Sequence, residues 1–508
     1  MSNKHTEINP QARRPKGSPL AWVNLLLLSI IVVACNYIGC KEYWRRDLTE
    51  DERYTISDRT INVLTSERIQ SRETPVHIIF AFRKSTQNYP RMYSLLEEYV
   101  RYGKGKIVLE CFDPMRQPNR AREISQIYGV DFKQDLCLID ARRDPSVSLR
   151  TFEEDKSDRK HVRIRPGTSF IKYETMPDET RRAVALMMDE VVCGAIAEAV
   201  EGDMRHMYVV EGKGGVSRDD QTLLENIGRI VNLLNIQLSW INLSAVDRVP
   251  EDAEGLIIIS PRVDFTEDEM VIVNEFWERE QGRRALFVAL DPDNTQLPRF
   301  YRFLRSQGVR PNNDRVLLRD RNRAYYDISA VIPKGLECTK SFWHNTTHLE
   351  GHSMSLTLEH GDENEATLRR LTTYPVLMTT ADYYGETNAT RAPKYDPQED
   401  KPGPLCLAAA VTKGSPKSPN DLSTMLVLAN TDILRREKTR AEQLDYLHTL
   451  WAWMSNRPEY GGKSSNQDLT MKLDLNRHSR HVIEYLTLII MPLFAFLIAL
   501  MLWHTRRH

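Results

Sequence analysis

The residues best suited to bind a ligand form a short loop, Gly212-Lys213-Gly214-Gly215, between a predicted strand and a predicted helix. In that position the backbone amides and the amino end of the helix can hold an anion. The loop is neither a Walker A sequence nor a complete G-x-G-x-x-G motif, and no Walker A sequence occurs elsewhere. We therefore expect no nucleotide hydrolysis, and a tight turn without a ligand explains the same glycines.

Two aspartates, Asp113 and Asp291, each follow a predicted strand at its carboxyl end and each precede a proline. Open α/β sheets usually bind ligands at these strand ends, although aspartate is also a common turn and cap residue. No G-x-S-x-G, paired-carboxylate or H-E-x-x-H motif occurs, so we predict no catalytic residue and no cofactor. The candidate crevice for a ligand or partner consists of Gly212, Lys213, Gly214, Asp291 and Asp113.

Three histidines, His344, His348 and His352, recur every four residues, a spacing that would suit a transition metal if the segment were helical. The intervening threonines and Gly351 are poor helix formers, so a surface loop without a metal is the favoured interpretation. The seven cysteines contain no C-x-x-C pair, which excludes a zinc framework and favours buried, inert thiols.

The segment 256–309 fixes the fold class, because two apolar runs flank an amphipathic helix there. Leu256–Ser260 and Ala285–Leu290 read as buried strands, and a capping box of Thr266 and Glu269 begins the helix between them. A strand, helix, strand unit of this kind predicts parallel pairing. A similar unit precedes Asp113, so we predict an α/β fold with two Rossmann-like, open-sheet modules of mostly parallel strands.

Two uncharged apolar runs near the termini, Leu20–Cys40 and Tyr485–Trp503, are long enough to cross a bilayer as helices. We predict one transmembrane helix at each end, with both termini on one side. Four basic residues precede the first run within 4–16 and four follow it within 41–53, so charge does not decide the orientation. A cleaved signal with a lipoprotein-like box ending at Cys35 is the alternative to an uncleaved anchor.

Length and charge bound the remaining possibilities. A chain of 508 residues is too long for one core, and a net charge of -1 without a concentrated basic face excludes nucleic acid as a partner. The predicted segments are a tail 1–19, a transmembrane helix 20–40, a juxtamembrane stalk 41–73, a small α/β module 74–165, a large α/β module 166–456 with a mobile loop 382–404, a connector 457–481, a transmembrane helix 482–503 and a tail 504–508.

Several short motifs, in this order, resemble the GldG-like auxiliary components of ABC transporters, a family named for bacterial gliding motility. The residues that carry the resemblance are Arg46-Asp47-Leu48-Thr49, Tyr54-Thr55-Ile56-Ser57, Phe112-Asp113-Pro114 with Tyr128-Gly129-Val130, Leu256 to Pro292, and Met425 to Asp432. Two positions depart from the family pattern: its G-H-G-E is Gly212-Lys213-Gly214-Gly215 here, and its G-D-S-D is Ala429-Asn430-Thr431-Asp432.

The resemblance implies a two-span protein of the bacterial inner membrane with cytoplasmic termini and a periplasmic α/β region. It implies a non-enzymatic subunit that works beside an ABC permease and a separate ATPase and binds partner proteins or a protein or polysaccharide cargo. The large module is similar to a domain of intraflagellar-transport subunits. The alternative function is an extracytoplasmic receptor or sensor that binds a small anion or saccharide near Lys213 and Asp291.

Overall fold

Buried apolar runs form the strands of two separate main sheets in this computed structural model of the chain. The structure describes residues 19–41, 55–86, 88–149, 156–175, 180–279, 283–293, 296–319, 326–359, 371–388, 393–414, 422–435, 438–464 and 492.

The chain divides into two units, Met1–Arg53 and Tyr54–His508. In the first unit the structure describes one helix, α1 (Pro19–Lys41), which begins at a proline, a residue suited to the first helical turn. Its side chains are described at positions 23, 24, 26–34 and 37, where nine large hydrophobic residues are more than half exposed. Over the residues that the structure describes, no helix has the length and hydropathy required for a membrane crossing.

The described residues therefore do not support the prediction of one transmembrane helix at each end. The first predicted span, 20–40, coincides with α1, whereas the second, 482–503, lies outside the described residues except for Pro492. Both predicted tails also lie outside the described residues, except for Pro19.

The small sheet has the strand order β2-β1-β3-β4. Its strands are β1 (Val76–Ala81), β2 (Ile107–Phe112), β3 (Leu136–Asp140) and β4 (Val162–Pro166). Only β1 and β2 pair in parallel, because a helix connects them, and the other two pairs are antiparallel. The charged sequence of residues 144–165 predicts an irregular connection, and this prediction is wrong at its end, where β4 pairs with β3 along its whole length. A separate hairpin follows, formed by β5 (Ile171–Thr175) and β6 (Arg181–Leu186).

The large sheet contains the predicted parallel unit at its centre, in the order β20-β10-β9-β7-β8. These strands are β7 (Arg205–Glu211), β8 (Ile236–Asn242), β9 (Ala253–Ile259), β10 (Ala285–Ala289) and β20 (Ser423–Leu428). All four adjacent pairs are parallel, with Leu286 between Leu256 and Met425. The chain order reverses between β7 and β9, and an open sheet usually binds its ligands at such a point.

The rest of the large sheet is antiparallel, so "mostly parallel" is too strong and the sheets are mixed. Parallel strands need a crossover connection, usually a helix, and few helices lie between β10 and β20 in the described residues. These strands are β11 (Val309–Pro311), β13 (Ile328–Val331), β14 (Thr346–Leu349), β15 (Leu356–Leu358), β16 (Leu371–Thr379) and β19 (Cys406–Lys413). A smaller sheet is formed by β12 (Arg315–Leu318), β17 (Tyr383–Glu386) and β18 (Lys401–Pro402). The last two lie within the loop predicted over 382–404.

Helices cover both main sheets. Those of the second unit are α2 (Asp58–Thr65), α3 (Glu67–Gln70), α4 (Tyr89–Gly103), α5 (Pro118–Tyr128), α6 (Lys156–Arg159), α7 (Met188–Glu201), α8 (Gln221–Asn232), α9 (Glu267–Glu278), α10 (Pro298–Ser306) and α11 (Ala441–Met454). The predicted capping box of Thr266 and Glu269 is confirmed at the start of α9. Helices α2 and α3 lie in the segment predicted as a stalk, and the domain boundaries stay predictions.

Helix α7 joins the two halves of the unit. Its Val192 and Ile196 side chains lie in the core of the small sheet, whereas Cys193 and Ala197 lie in the core of the large sheet. The amphipathic pattern over residues 181–200 predicts a single helix, and this prediction is wrong in its first part, because residues 181–186 form β6.

Candidate functional site

The predicted glycine loop follows β7 and contacts the end of β9. Gly212 and Gly214 adopt positive φ values of 83° and 70°, which favour glycine. A side chain at Gly215 would place its Cβ 2.3 Å from the carbonyl oxygen of Ile259. The carbonyl oxygen of Lys213 accepts hydrogen bonds from the backbone N–H groups of Arg262 at 2.7 Å and Val263 at 3.1 Å. These glycines therefore serve a turn that closes onto the neighbouring strand.

The Lys213 side chain is buried and committed to an internal partner. Its ammonium donates to the Glu269 carboxylate and lies 5.0 Å from the centre of the Phe265 ring. The hydroxyl of Ser244 donates to Glu269 at 2.6 Å, and the backbone N–H of Thr266 donates at 2.8 Å. Burial alone would raise the pKa of Glu269, but these hydrogen bonds outweigh it and hold the pKa below its usual range. The point of strand reversal is thus occupied by the chain's own ion pair.

The two predicted aspartates lie on different sheets. Asp291 follows β10 at the same edge as the glycine loop, where it accepts hydrogen bonds from the Ser260 hydroxyl at 3.4 Å and the Asp293 backbone N–H at 3.0 Å. Asp113 follows β2 of the small sheet. The structure therefore brings Asp291 and the loop to one sheet edge and places Asp113 elsewhere.

Asp113 acts as a turn residue. Its carboxylate accepts backbone hydrogen bonds from Lys84 at 3.2 Å, Met115 at 3.0 Å and Arg116 at 3.4 Å. Burial would raise the pKa of Asp113, but these bonds outweigh burial and lower it. The geometry is that of a cap rather than of an open ligand site.

The three regularly spaced histidines do not converge on a point. His348 lies on strand β14, and the Nδ1 atom of His352 lies 3.2 Å from Asp293 Oδ2. Among the residues that the structure describes, no group of three or more side chains has the arrangement needed for a metal ion.

A different site stands out: a cavity of about 560 Å³ enclosed by helices α2, α7, α8 and α11. Its lining includes Arg59, Asp189, Glu190, Asp445 and His448. Its size falls within the range typical of small-molecule sites. We call it the central cavity.

Fixed hydrogen bonds position one wall of the central cavity. The Asp189 carboxylate accepts from the Ser57 backbone N–H at 3.0 Å, the Thr60 hydroxyl at 2.9 Å and the Tyr99 hydroxyl at 2.8 Å. Arg59 donates to Asp445 at 2.9 Å. Burial raises the pKa of Glu190, which favours its neutral form.

His448 is the unusual member of the cavity wall. It is 1% exposed, and neither ring nitrogen has a hydrogen-bond partner among the described residues. Burial, and next the charge of Arg59, lower the pKa of His448 well below its ordinary value, so the ring is neutral. A neutral imidazole offers one donor and one acceptor on separate nitrogens, and a ligand hydroxyl can bond to either one.

Few signals in the sequence indicate the central cavity. Asp189 and His448 lie on predominantly apolar helix faces, beside Met188 and Leu447, where a polar residue is a weak signal. Arg59 lies in the segment that was predicted as a stalk. These three side chains come from distant parts of the chain, and only the tertiary packing brings them together.

Comparisons with known proteins place the chain only broadly. No curated protein matches it. A solved structure described as the mmIFT52 N-terminal domain is 13% identical, with a TM-score of 0.35 over 49% of this chain and 97% of its own. A ThuA-like protein from Bacteroides uniformis is 12% identical, with a TM-score of 0.29 over 51% of this chain and 94% of its own.

A third structure, the exo-beta-1,4-mannosidase Op5Man5 from Opitutaceae bacterium strain TAV5, is 11% identical, with a TM-score of 0.27 over 73% of this chain and 50% of its own. Likenesses this distant carry no functional argument. In sequence, residues 50–137 match a domain of unknown function, DUF7088.

Proposed function

We propose that the chain is a non-enzymatic, membrane-anchored auxiliary subunit of an ABC-type transporter, similar to the GldG-like components. The single observation that supports it best is helix α1. Leu26, Leu27 and Leu28 are exposed at consecutive positions, as are residues 30–33. Since a helical turn has 3.6 residues, such runs cover every side of the helix. Exposed apolar side chains on every side of a helix need an apolar environment or partner.

The proposal assigns the energy source to another subunit. The chain has no Walker A sequence, so a separate ATPase and an ABC permease are the expected partners. Both termini are placed in the cytoplasm and the α/β region in the periplasm of a bacterium, as the resemblance implies. The internal ion pair of Lys213 and Glu269 supports partner recognition by surfaces rather than by an anion pocket at the strand ends.

Isolation of the tagged full chain at native levels in mild detergent tests the assembly. We expect a permease and an ATPase to co-purify with it. A paired variant, Leu27→Asp with Ile31→Asp, should lose or weaken that assembly, whereas Leu27→Val with Ile31→Val should keep it. Recovery of the wild-type chain without either partner would remove the basis of the proposal.

Labelling of Gln398→Cys tests the location, because this position is exposed and lies in the predicted 382–404 loop. A membrane-impermeant maleimide should label it in intact cells, once the outer barrier is made permeable. The unsubstituted chain is the control for its native cysteines. Labelling only after lysis would reverse the proposed orientation.

A ligand-binding receptor is the second candidate, now at the central cavity, because His448 is buried there and neither ring nitrogen has a partner among the described residues. Neutral mono- and disaccharides are the probes, since a ligand that binds only the folded state raises the melting temperature. His448→Leu should abolish the rise and Lys213→Ala should preserve it. Loss of the rise in Lys213→Ala but not in His448→Leu would indicate that the ligand binds at the glycine loop. No rise in melting temperature with any sugar would count against a receptor function.

A further inference from the structure

A groove rich in arginine lies at the edge of the large sheet where β7 and β10 begin. The glycine loop lies at the opposite edge of that sheet. Two adjoining cavities form the groove, of about 470 Å³ and 280 Å³, and they share Arg205 and Glu254 as lining residues. We call it the arginine groove. Its arginines are Arg68, Arg72, Arg205, Arg283, Arg284 and Arg457.

The described lining carries more positive than negative charge. Its acidic members are Glu201, Asp203 and Glu254. Glu459, beside the groove, lies 2.6 Å from Arg68, so four carboxylates face the six arginines. Asp203 also forms an ion pair with Lys160, outside the groove. The surplus is local, because the whole chain has a net charge of -1.

Contacts with the protein hold the guanidinium groups in place. Arg205 donates to the carbonyl oxygen of Ser455, just after α11, and lies 3.2 Å from Glu254. Arg457 lies 2.6 Å from Glu201, with both side chains buried. The groove is therefore assembled from α3, β7, the segment before β10 and the residues just after α11, and Arg205 and Arg457 are held in place by the protein itself.

Three arginines of the groove, Arg72, Arg283 and Arg457, are partly or wholly shielded from solvent. Burial lowers the pKa of Arg72, and burial followed by the charge of Arg205 lowers the pKa of Arg283 to about 10. The Arg72 Nε and Arg457 Nη1 atoms are buried without a hydrogen-bond partner among the described residues. A buried donor without an acceptor is costly, and an anion in the groove would supply that acceptor.

We propose that the arginine groove binds a multiply charged oxyanion of the phosphate class. Several guanidinium groups on one short surface suit a ligand with several negative oxygens, because each planar fork can donate to two oxygens. The source is either free phosphate or a phospholipid headgroup. The inference does not depend on the proposed transporter function, since it rests on the side chains of the second unit alone.

Calorimetric titration of the full chain in neutral detergent with tripolyphosphate tests the groove, at constant ionic strength adjusted with chloride. Arg68→Gln and Arg205→Gln should each weaken binding at least about tenfold, as expected when a charge-assisted hydrogen bond is lost. Arg205→Lys keeps the charge and should weaken binding less. Arg218→Gln is the matched control, because Arg218 is exposed and paired with Glu211 at the other sheet edge.

A short-chain phosphatidate forms the second arm of the experiment. Binding of both probes, or of tripolyphosphate alone, would support the groove with free phosphate as ligand, and binding of phosphatidate alone would support a lipid headgroup. Each supporting result requires the loss in Arg68→Gln and Arg205→Gln. Equal affinity in these variants and in Arg218→Gln, or no binding of either probe by the wild-type chain, would overturn the proposal.

Discussion

The buried imidazole of His448 links folding to pH. The folded protein keeps this ring neutral, because burial and the charge of Arg59 lower its pKa well below the ordinary value. The unfolded chain protonates the same ring below about pH 6.5. The unfolded state then binds more protons, so the free energy of unfolding falls as the pH drops through that value.

Removal of the ring should therefore flatten the pH dependence. Between about pH 6.5 and pH 5, the unfolding free energy of His448→Leu should fall less steeply than that of the wild type, by up to about 1.4 kcal/mol per pH unit. Urea denaturation at several pH values measures both slopes. The exposed His348→Leu is the control and should keep the wild-type slope. Equal slopes in the wild type and His448→Leu would mean that the folded protein protonates His448.

The buried ion pair of Lys213 and Glu269 should show strong coupling. Lys213→Met leaves the Glu269 carboxylate buried without its cation and should cost about 3–5 kcal/mol of stability. Adding Glu269→Gln removes that charge, keeps an oxygen acceptor for the cap and should recover much of the loss. Chemical denaturation of the single and double variants measures the coupling.

Arg218→Met is the comparison for that pair. Arg218 and Glu211 are much more exposed, with side chains 61% and 28% accessible, so the loss should stay below about 1 kcal/mol. A Lys213→Met cost as small as this would show that the buried pair contributes little.

At the scale of elements, two glycines should respond in opposite directions to alanine. Gly215→Ala places a methyl group 2.3 Å from the backbone oxygen of Ile259, so it should destabilise the protein by about 1–3 kcal/mol or more. Gly228 lies inside α8 with open space around it, so Gly228→Ala should stabilise by about 0.5–1 kcal/mol. Thermal and urea denaturation give both signs. A neutral Gly215→Ala would show that the loop can move away from β9.

The central strands could be predicted because each is a continuous apolar run in the sequence. Buried apolar runs locate β9 and β10, and the hydroxyl and carboxylate of the capping box locate the start of α9. Strand β4 carries charged residues at alternate positions and gives no apolar run, so it was interpreted as a connection. Its assignment depends on pairing with β3 rather than on an apolar run of its own.

The candidate crevice could likewise be predicted only in part from the sequence. The sequence correctly places Lys213 and Asp291 at the carboxyl ends of parallel strands. It does not reveal that Glu269, 56 positions away, neutralises Lys213. The central cavity was missed because Asp189 and His448 lie on predominantly apolar helix faces, where a single polar residue is a weak signal.

At the scale of the whole molecule, α7 should decide whether the small sheet folds alone. A fragment 55–175 lacks α7 and should show no cooperative thermal transition by circular dichroism. A fragment 55–201 restores Val192 and Ile196 to the small-sheet core and should melt cooperatively. The DUF7088 match, residues 50–137, ends well before these side chains. A cooperative transition in 55–175 would show that the core does not need α7.

Two substitutions in the longer fragment check the reason for this behaviour. Ile196→Asp places a charge in the small-sheet core and should abolish the transition. Ala197 lies on the side of α7 that packs against the large sheet, which this fragment lacks, so Ala197→Asp should be tolerated. Equal loss in both would point to weakened helix formation instead.

The position of β10 between β9 and β20 has a consequence for synthesis of the chain. β9 leaves the ribosome shortly before β10, but β20 follows only after roughly 130 further residues. At about 5–20 residues added per second, that interval is on the order of ten seconds. During this time one edge of β10, with Leu286, Phe287 and Val288, lacks its native neighbour. A nascent chain of this kind is a natural client for chaperones that shield unpaired strands until translation is complete.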